Sequence, residues 1–168
     1  MIIKSHPMPV PLLTPPPPLN LPPAELSLRS ASKGVEVFDV LRGRWILLTP
    51  EEWVRQHFVH YLTDTLGYPR SMMANEVGIT LNSTSRRCDT VVYARNLTPL
   101  MIVEYKAPSV KIDRKVFDQI VRYNIVMNVP YLLVSNGMEH YCFHVETSPD
   151  SAPRCTLVPI PEYAALTV

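Results

Sequence analysis

The chain has 168 residues, 16 Lys and Arg against 15 Asp and Glu, and 46% apolar residues. This is one domain's length, with enough chain to bury a core, and a net charge of +1 excludes a polycationic tail or a highly charged solubilising segment. The apolar stretches, such as residues 45–48 and 100–103, are far too short to cross a bilayer, so no membrane partner is expected.

Nine of the 18 prolines fall in residues 1–23, which are expected to form an extended tail, either a stiff strap along the domain or a PxxP-type ligand. Pro7, Pro9 and Pro11 would interrupt the apolar region of a signal peptide. Cys88, Cys142 and Cys155 are odd in number and contain no CxxC pair, so neither a disulfide framework nor a zinc site is expected. A reduced, cytoplasmic protein follows.

Residues 24–168 are expected to form a single folded domain. Two apolar runs, Val35 to Asp39 and Arg44 to Leu48, flank a turn at Gly43 and predict a β-hairpin. Thr49, Pro50 and Glu52 carry the pattern of an N-cap, a first-turn proline and a capping box. The helix they open has Val54, Phe58 and Leu62 at helical spacing and stops at Gly67. Three strand-like runs follow, about Asn75 to Leu81, Arg87 to Tyr93 and Leu100 to Lys106, joined by short turns that imply an antiparallel meander. Asp113 caps a second helix, Tyr131 to Val134 reads as a buried strand, and Asn136-Gly137 turns the chain into Met138 to Val145. Arg154 to Val158 is a candidate edge strand. This order predicts an α/β (α+β) layer fold with a mixed central sheet flanked by helices.

Three charges interrupt strands that should be apolar. Asp89 lies in RRCDTVVY, and Glu104 and Lys106 lie in LMIVEYKAP. Strand alternation puts Glu104 and Lys106 on one face, and pairing of the two runs brings Asp89 beside Glu104. Two carboxylates so placed repel unless a cation lies between them. Their oxygens, with a backbone carbonyl and waters, suit Mg²⁺. Bland alternatives are a surface pair between Glu104 and Lys106, and pairing of Asp89 with Arg86 or Arg87. His140 and His144 share a strand face but have no third ligand nearby, so they are expected to pack or face solvent. With glycines only at 34, 43, 67, 78 and 137, no GxxxxGK phosphate loop can be written, so the chain carries no ATP-driven motor.

Asp89, the triplet Glu104-Tyr105-Lys106 and the spacing of Gln119 and Tyr123 resemble the PD-(D/E)XK nuclease superfamily with a QxxxY motif. LTPEEWVRQHFVHYL, IVEYKAP, FDQIVRYN and PYLLVSNGMEHYCF are similar to the N-terminal nuclease domain of type I restriction enzyme R subunits, in its short, free-standing bacterial form. The resemblance implies a restriction-endonuclease-like core and a metal-dependent deoxyribonuclease. Asp89, Glu104 and the backbone carbonyl of Tyr105 would hold Mg²⁺, with Mn²⁺ as a substitute, and Lys106 would serve the hydrolytic water. Gln119 and Tyr123, four apart on one helical face, would contact DNA or buttress the site. Members of the family carry a metal-assisting Glu on the first helix; Glu52 fits best, with Glu51 and Glu76 as competitors. A separate helicase or restriction-modification subunit is the implied partner.

Residues 85–124 hold eight Lys and Arg against four acids, whereas residues 125–168 hold one against four. A basic segment around the carboxylates suits a phosphodiester substrate, and Arg87 and Arg122 join the candidate DNA contacts. Two other readings stand beside the nuclease: a nucleic-acid-binding or assembly module with a silent site, and a resolvase-like dimer.

Overall fold

The computed structural model describes residues 16–166, so most of the proline-rich tract, residues 1–15, lies outside the described residues. The chain opens with β1 (Leu28–Ala31), β2 (Gly34–Asp39) and β3 (Arg44–Leu47), a small antiparallel sheet in that order. The expected hairpin is β2 and β3; β1 adds a strand too short, at four residues, to show a period. In α1 (Pro50–His60) the Thr49 hydroxyl accepts the Glu52 N–H at 3.0 Å, and Pro50 occupies the first turn. The helix ends in a π-helical turn, Tyr61–Thr65, before Gly67 at φ +72°.

The central sheet has six strands in sequential order: β4 (Met73–Leu81), β5 (Thr84–Tyr93), β6 (Pro99–Tyr105), β7 (Tyr131–Ser135), β8 (His140–Ser148) and β9 (Ser151–Val158). All neighbours are antiparallel except β6 and β7, whose parallel pairing is made possible by the crossover through α2 (Arg114–Met127). Asp113 caps α2 by accepting the N–H groups of Lys115 and Val116, and Asn128 closes it in the left-handed region. A short α3 (Tyr163–Leu166), not foreseen from the sequence, is tied down by the Tyr163 hydroxyl donating to the Tyr93 carbonyl at 2.9 Å. No helix among the described residues is long and apolar enough to cross a membrane.

The two helices cover opposite faces. Val54 and Phe58 of α1, with Leu62 of the π-helical turn, pack on Met101, Val103, Tyr105 and Leu133. Val116 and Ile120 of α2 pack on Val91, Ile102, Leu132 and Val134. β6 is therefore buried on both sides, which is why its sequence reads as a continuous apolar run. Glu104 alternates with Ile102 and so faces α2, with 3% of its surface exposed.

Residues 16–23 lie along the domain without regular structure. The Asn20 N–H donates to the Gly137 carbonyl at 2.8 Å, and Trp53 Nε1–H donates to the Pro17 carbonyl at 3.2 Å. His140 Nε2 lies 2.9 Å from the Asn20 carbonyl, which only accepts, so Nε2 donates and Nδ1 accepts the Ser135 hydroxyl at 2.8 Å. His144 packs against Tyr131 with the rings tilted and their centroids 5.0 Å apart. Both histidines are thus packing residues.

Gly137 holds φ +82°, and a Cβ there would sit 2.7 Å from Leu19 Cδ2 and 3.1 Å from Val54 Cγ2. Gly137→Ala combines a left-handed backbone with a clash under the strap. It is expected to cost about 1–3 kcal/mol and to lower Tm by roughly 3–10 °C in scanning calorimetry.

Candidate active site

The site forms where β5 and β6 diverge. Their ladder is regular from Val92–Met101 to Thr90–Val103 and then opens. At the same level β4 carries Glu76 at φ +58°, between the pairs Asn75–Thr90 and Val77–Cys88. Strict alternation would put Asn75 and Val77 on one face. Here Thr90 donates to Asn75, which donates to Asp39 beside α1, whereas Val77 and Cys88 lie in the cluster under α2. The left-handed residue reverses the facing of both strands. It turns Asp89 out of the α2 face and into the fork, where its Oδ2 accepts the Tyr105 N–H at 2.8 Å.

On the α2 side, Lys106 Nζ donates to Glu104 Oε1 at 2.9 Å and to Gln119 Oε1 at 3.2 Å. Gln119 Nε2 donates to the same Glu104 oxygen and, at 3.1 Å, to the Tyr123 hydroxyl. Two donors, Lys106 Nζ and Gln119 Nε2, are thus gathered on one oxygen of the carboxylate. The other oxygen, Glu104 Oε2, is buried with no hydrogen-bond partner. Burial, and next the negative charge of Asp89, push the Glu104 pKa up to about 7. Burial opposes the charge on Lys106, but its bond to Glu104 outweighs this and holds the pKa above the usual lysine value.

On the α1 side, Asp89 Oδ1 accepts Arg55 Nη2–H at 2.9 Å. Arg55 is 3% exposed and also pairs with Glu76 at 2.7 Å and Glu52 at 3.2 Å. A buried guanidinium shared by three carboxylates was not anticipated, because an arginine within a helix reads from sequence as solvated. Burial works against its charge, yet Asp89, Glu52 and Glu76 together raise its pKa. Asp89 itself is pushed up by burial, against the pull of Arg55.

Glu52, the expected first-helix acid, is engaged with Arg42 at 3.0 Å, Arg55 and Gln56. Its neighbour Glu51 is the acid that feels the site: burial and then the charge of Asp89 raise its pKa, and Lys106 lowers it. Arg87 faces away from α2, exposed and paired with Glu76 at 3.0 Å. Arg86, on the other face of β5, joins Arg122, Lys115, Gln119 and Tyr123 along a cleft of about 460 Å³. Asp89 thus pairs with Arg55, and with neither Arg86 nor Arg87.

Among the described residues, no three or more His, Cys, Asp and Glu side chains form a ready metal cage. The donor set still suits a hard cation. Glu104 Oε2 offers one negative oxygen ligand without a competing donor, whereas both Asp89 oxygens already accept, Oδ1 from Arg55 and Oδ2 from the Tyr105 N–H; Mg²⁺ commonly binds through one or two carboxylates while keeping several waters.

Residues 50–161, spanning α1 to the segment before α3, match the family model of the type I restriction enzyme R protein N terminus. The chain belongs to this family. The match takes in the fork, the Glu104-Tyr105-Lys106 triplet and Gln119 to Tyr123, so every charged group of the site lies inside the R-protein N-terminal region except Asp39 and Arg42. A solved fragment described as the HsdR subunit of a type I restriction enzyme from Vibrio vulnificus YJ016 aligns at 16% identity and a TM-score of 0.49, covering 71% of this chain. The present chain spans 25% of that one. No curated protein matches.

Proposed function

We propose that this R-protein N-terminal domain is a Mg²⁺-dependent endonuclease that hydrolyses DNA phosphodiester bonds. The observation that carries the reading is Glu104: a buried carboxylate with one oxygen fully bonded, one bare, and Asp89 close enough to raise its pKa. Asp89, Glu104 and the Tyr105 carbonyl would hold Mg²⁺, with Mn²⁺ as a substitute. Bound there, the ion would polarise the phosphate and lower the pKa of a water. Lys106 Nζ, fixed between Glu104 and Gln119, orients that water or an oxygen of the phosphate by donating to it. Gln119 and Tyr123 hold the lysine and carboxylate in place. Glu52 is tied to Asp89 through Arg55, and Glu51, in the field of Asp89 and Lys106, is a second first-helix carboxylate for the metal. A helicase or another restriction-modification subunit is the partner this reading implies. The three free cysteines suit a reducing cytoplasm.

Plasmid or linear DNA incubated with the protein and Mg²⁺ tests this. Cleavage is expected, and Asp89→Asn and Glu104→Gln are expected to abolish it. Undiminished cutting by both variants refutes the site. A silent binding module would bind DNA without cutting and would need no metal, which Mg²⁺ calorimetry decides.

The Glu104 shift also fixes a pH dependence. Its pKa rises from 4.5 to about 7, so the folded state holds the extra proton across that window and the metal-free fold loses stability as pH rises through it. Mg²⁺ must displace that proton. Mg²⁺ is therefore expected to raise Tm by several degrees near pH 8 and not at all near pH 5, with no response in Asp89→Asn.

A further inference from the structure

The cleft beside the site is walled by α2 and by the tip of the β4–β5 hairpin. Its lining contains three cations, Arg86, Lys115 and Arg122, and no acid. All three are exposed, and none makes an ion pair among the described residues; Arg122 only donates its Nε–H to the Asp118 carbonyl at 3.2 Å. Elsewhere cations at this end are neutralised, Arg87 by Glu76 and Lys106 by Glu104. Lys115, Gln119 and Arg122 follow one another at helical spacing along one face of α2, so the stripe leads directly to Glu104 and Lys106 through Gln119.

The opposite wall is built for this placement. Asn82 and Ser83 at φ +49° and +60° make a tight two-residue hairpin turn, with Thr84 Oγ1 donating to the Leu81 carbonyl at 2.6 Å. Arg86 sits opposite Ile79, whose side chain lies in the cluster under α2. The reversal at Glu76 therefore aims Arg86 at α2 and removes Arg87 from it.

We infer that this cleft is the binding groove for one strand of the DNA substrate, with Arg86, Lys115 and Arg122 neutralising consecutive backbone phosphates beside the scissile one. The inference rests on the nuclease reading for the identity of the ligand. The seven residue steps of helix from Lys115 to Arg122 rise about 10 Å. A DNA strand carries one charge per about 3.4 Å of axis, so the stripe spans roughly three phosphates. No base-reading role is assigned to the three cations, whose charge fits the backbone of any sequence.

Fluorescence anisotropy of a labelled 20-bp duplex, in EDTA to prevent cutting and over a series of salt concentrations, tests the groove on the full chain. The triple variant Arg86→Ser, Lys115→Ser, Arg122→Ser is expected to bind on the order of 10²-fold more weakly at low salt. Its log–log salt slope should be shallower by about 2 to 3, the release expected from three phosphates. Its melting temperature and Mg²⁺ titration should match the parent's, and Arg154→Ser on β9 should change nothing. A triple variant that binds with the parent's affinity and slope overturns the groove, as does weaker binding with an unchanged slope, or a parent that fails to bind. If the parent cuts DNA while the triple variant binds as tightly, the groove fails and the nuclease stands. If the parent binds through these cations but never cuts, the groove stands and the nuclease fails.

Discussion

Lys106→Met is expected to slow DNA cleavage by about 10²–10³-fold at saturating Mg²⁺, the usual loss when one preorganised donor to developing charge is removed. Methionine keeps the stem and removes only the ammonium. Lys106 bonds Glu104 and Gln119 at 2.9 and 3.2 Å, which leaves one of its three N–H groups for a water or a phosphate oxygen. The variant also strips Glu104 of its cation, so the Glu104 proton should be harder to remove and Mg²⁺ affinity should fall modestly near neutral pH. Single-turnover cleavage at pH 8 with excess Mg²⁺ separates the effects: the rate stays low although the metal is bound. DNA affinity should change by no more than a few-fold, since one partly buried lysine adds little to the groove. A rate within twofold of the parent's would remove Lys106 from the chemistry.

Arg55→Met is expected to destabilise the fold by about 3–5 kcal/mol, the range for breaking a buried ion pair from one side. Tm should fall by roughly 10 °C or more. The guanidinium reaches Glu76 and Glu52 through Nη1 and Asp89 through Nη2, and without it three carboxylates would share a largely buried space. Lysine should not rescue it, because a single ammonium cannot fork to Glu76 and Asp89 together. Adding Glu76→Gln to Arg55→Met should recover part of the loss by removing one stranded charge. Calorimetry and urea unfolding check both, and an Arg55→Met protein that melts with the parent would show that the network contributes nothing.

Most of the fold was legible because its signals are local. Thr49 and Asp113 cap their helices as expected, since capping depends on a few neighbouring atoms. The apolar run of β6 announced a strand, and the three charges in it, beside it and in its neighbour marked the candidate site. The strand β1 and the helix α3 were missed because four residues are too few to display a period.

What the sequence determined by itself is the chemical inventory: an acid on one strand, an acid and a lysine on the next, and a glutamine and tyrosine one helical turn apart. Tertiary structure alone decided which neighbours join them. Glu51 and Glu52 are adjacent on a helix and point about 100° apart, so the docking of α1 chooses between them. Arg86 and Arg87 lie on opposite faces of β5, and the left-handed turn of the chain at Glu76 chooses between those. Arg55 meets Asp89 across 34 positions of sequence. Long-range electrostatics of this kind depends on distances set only when the helices settle on the sheet, and no local pattern of residues encodes them.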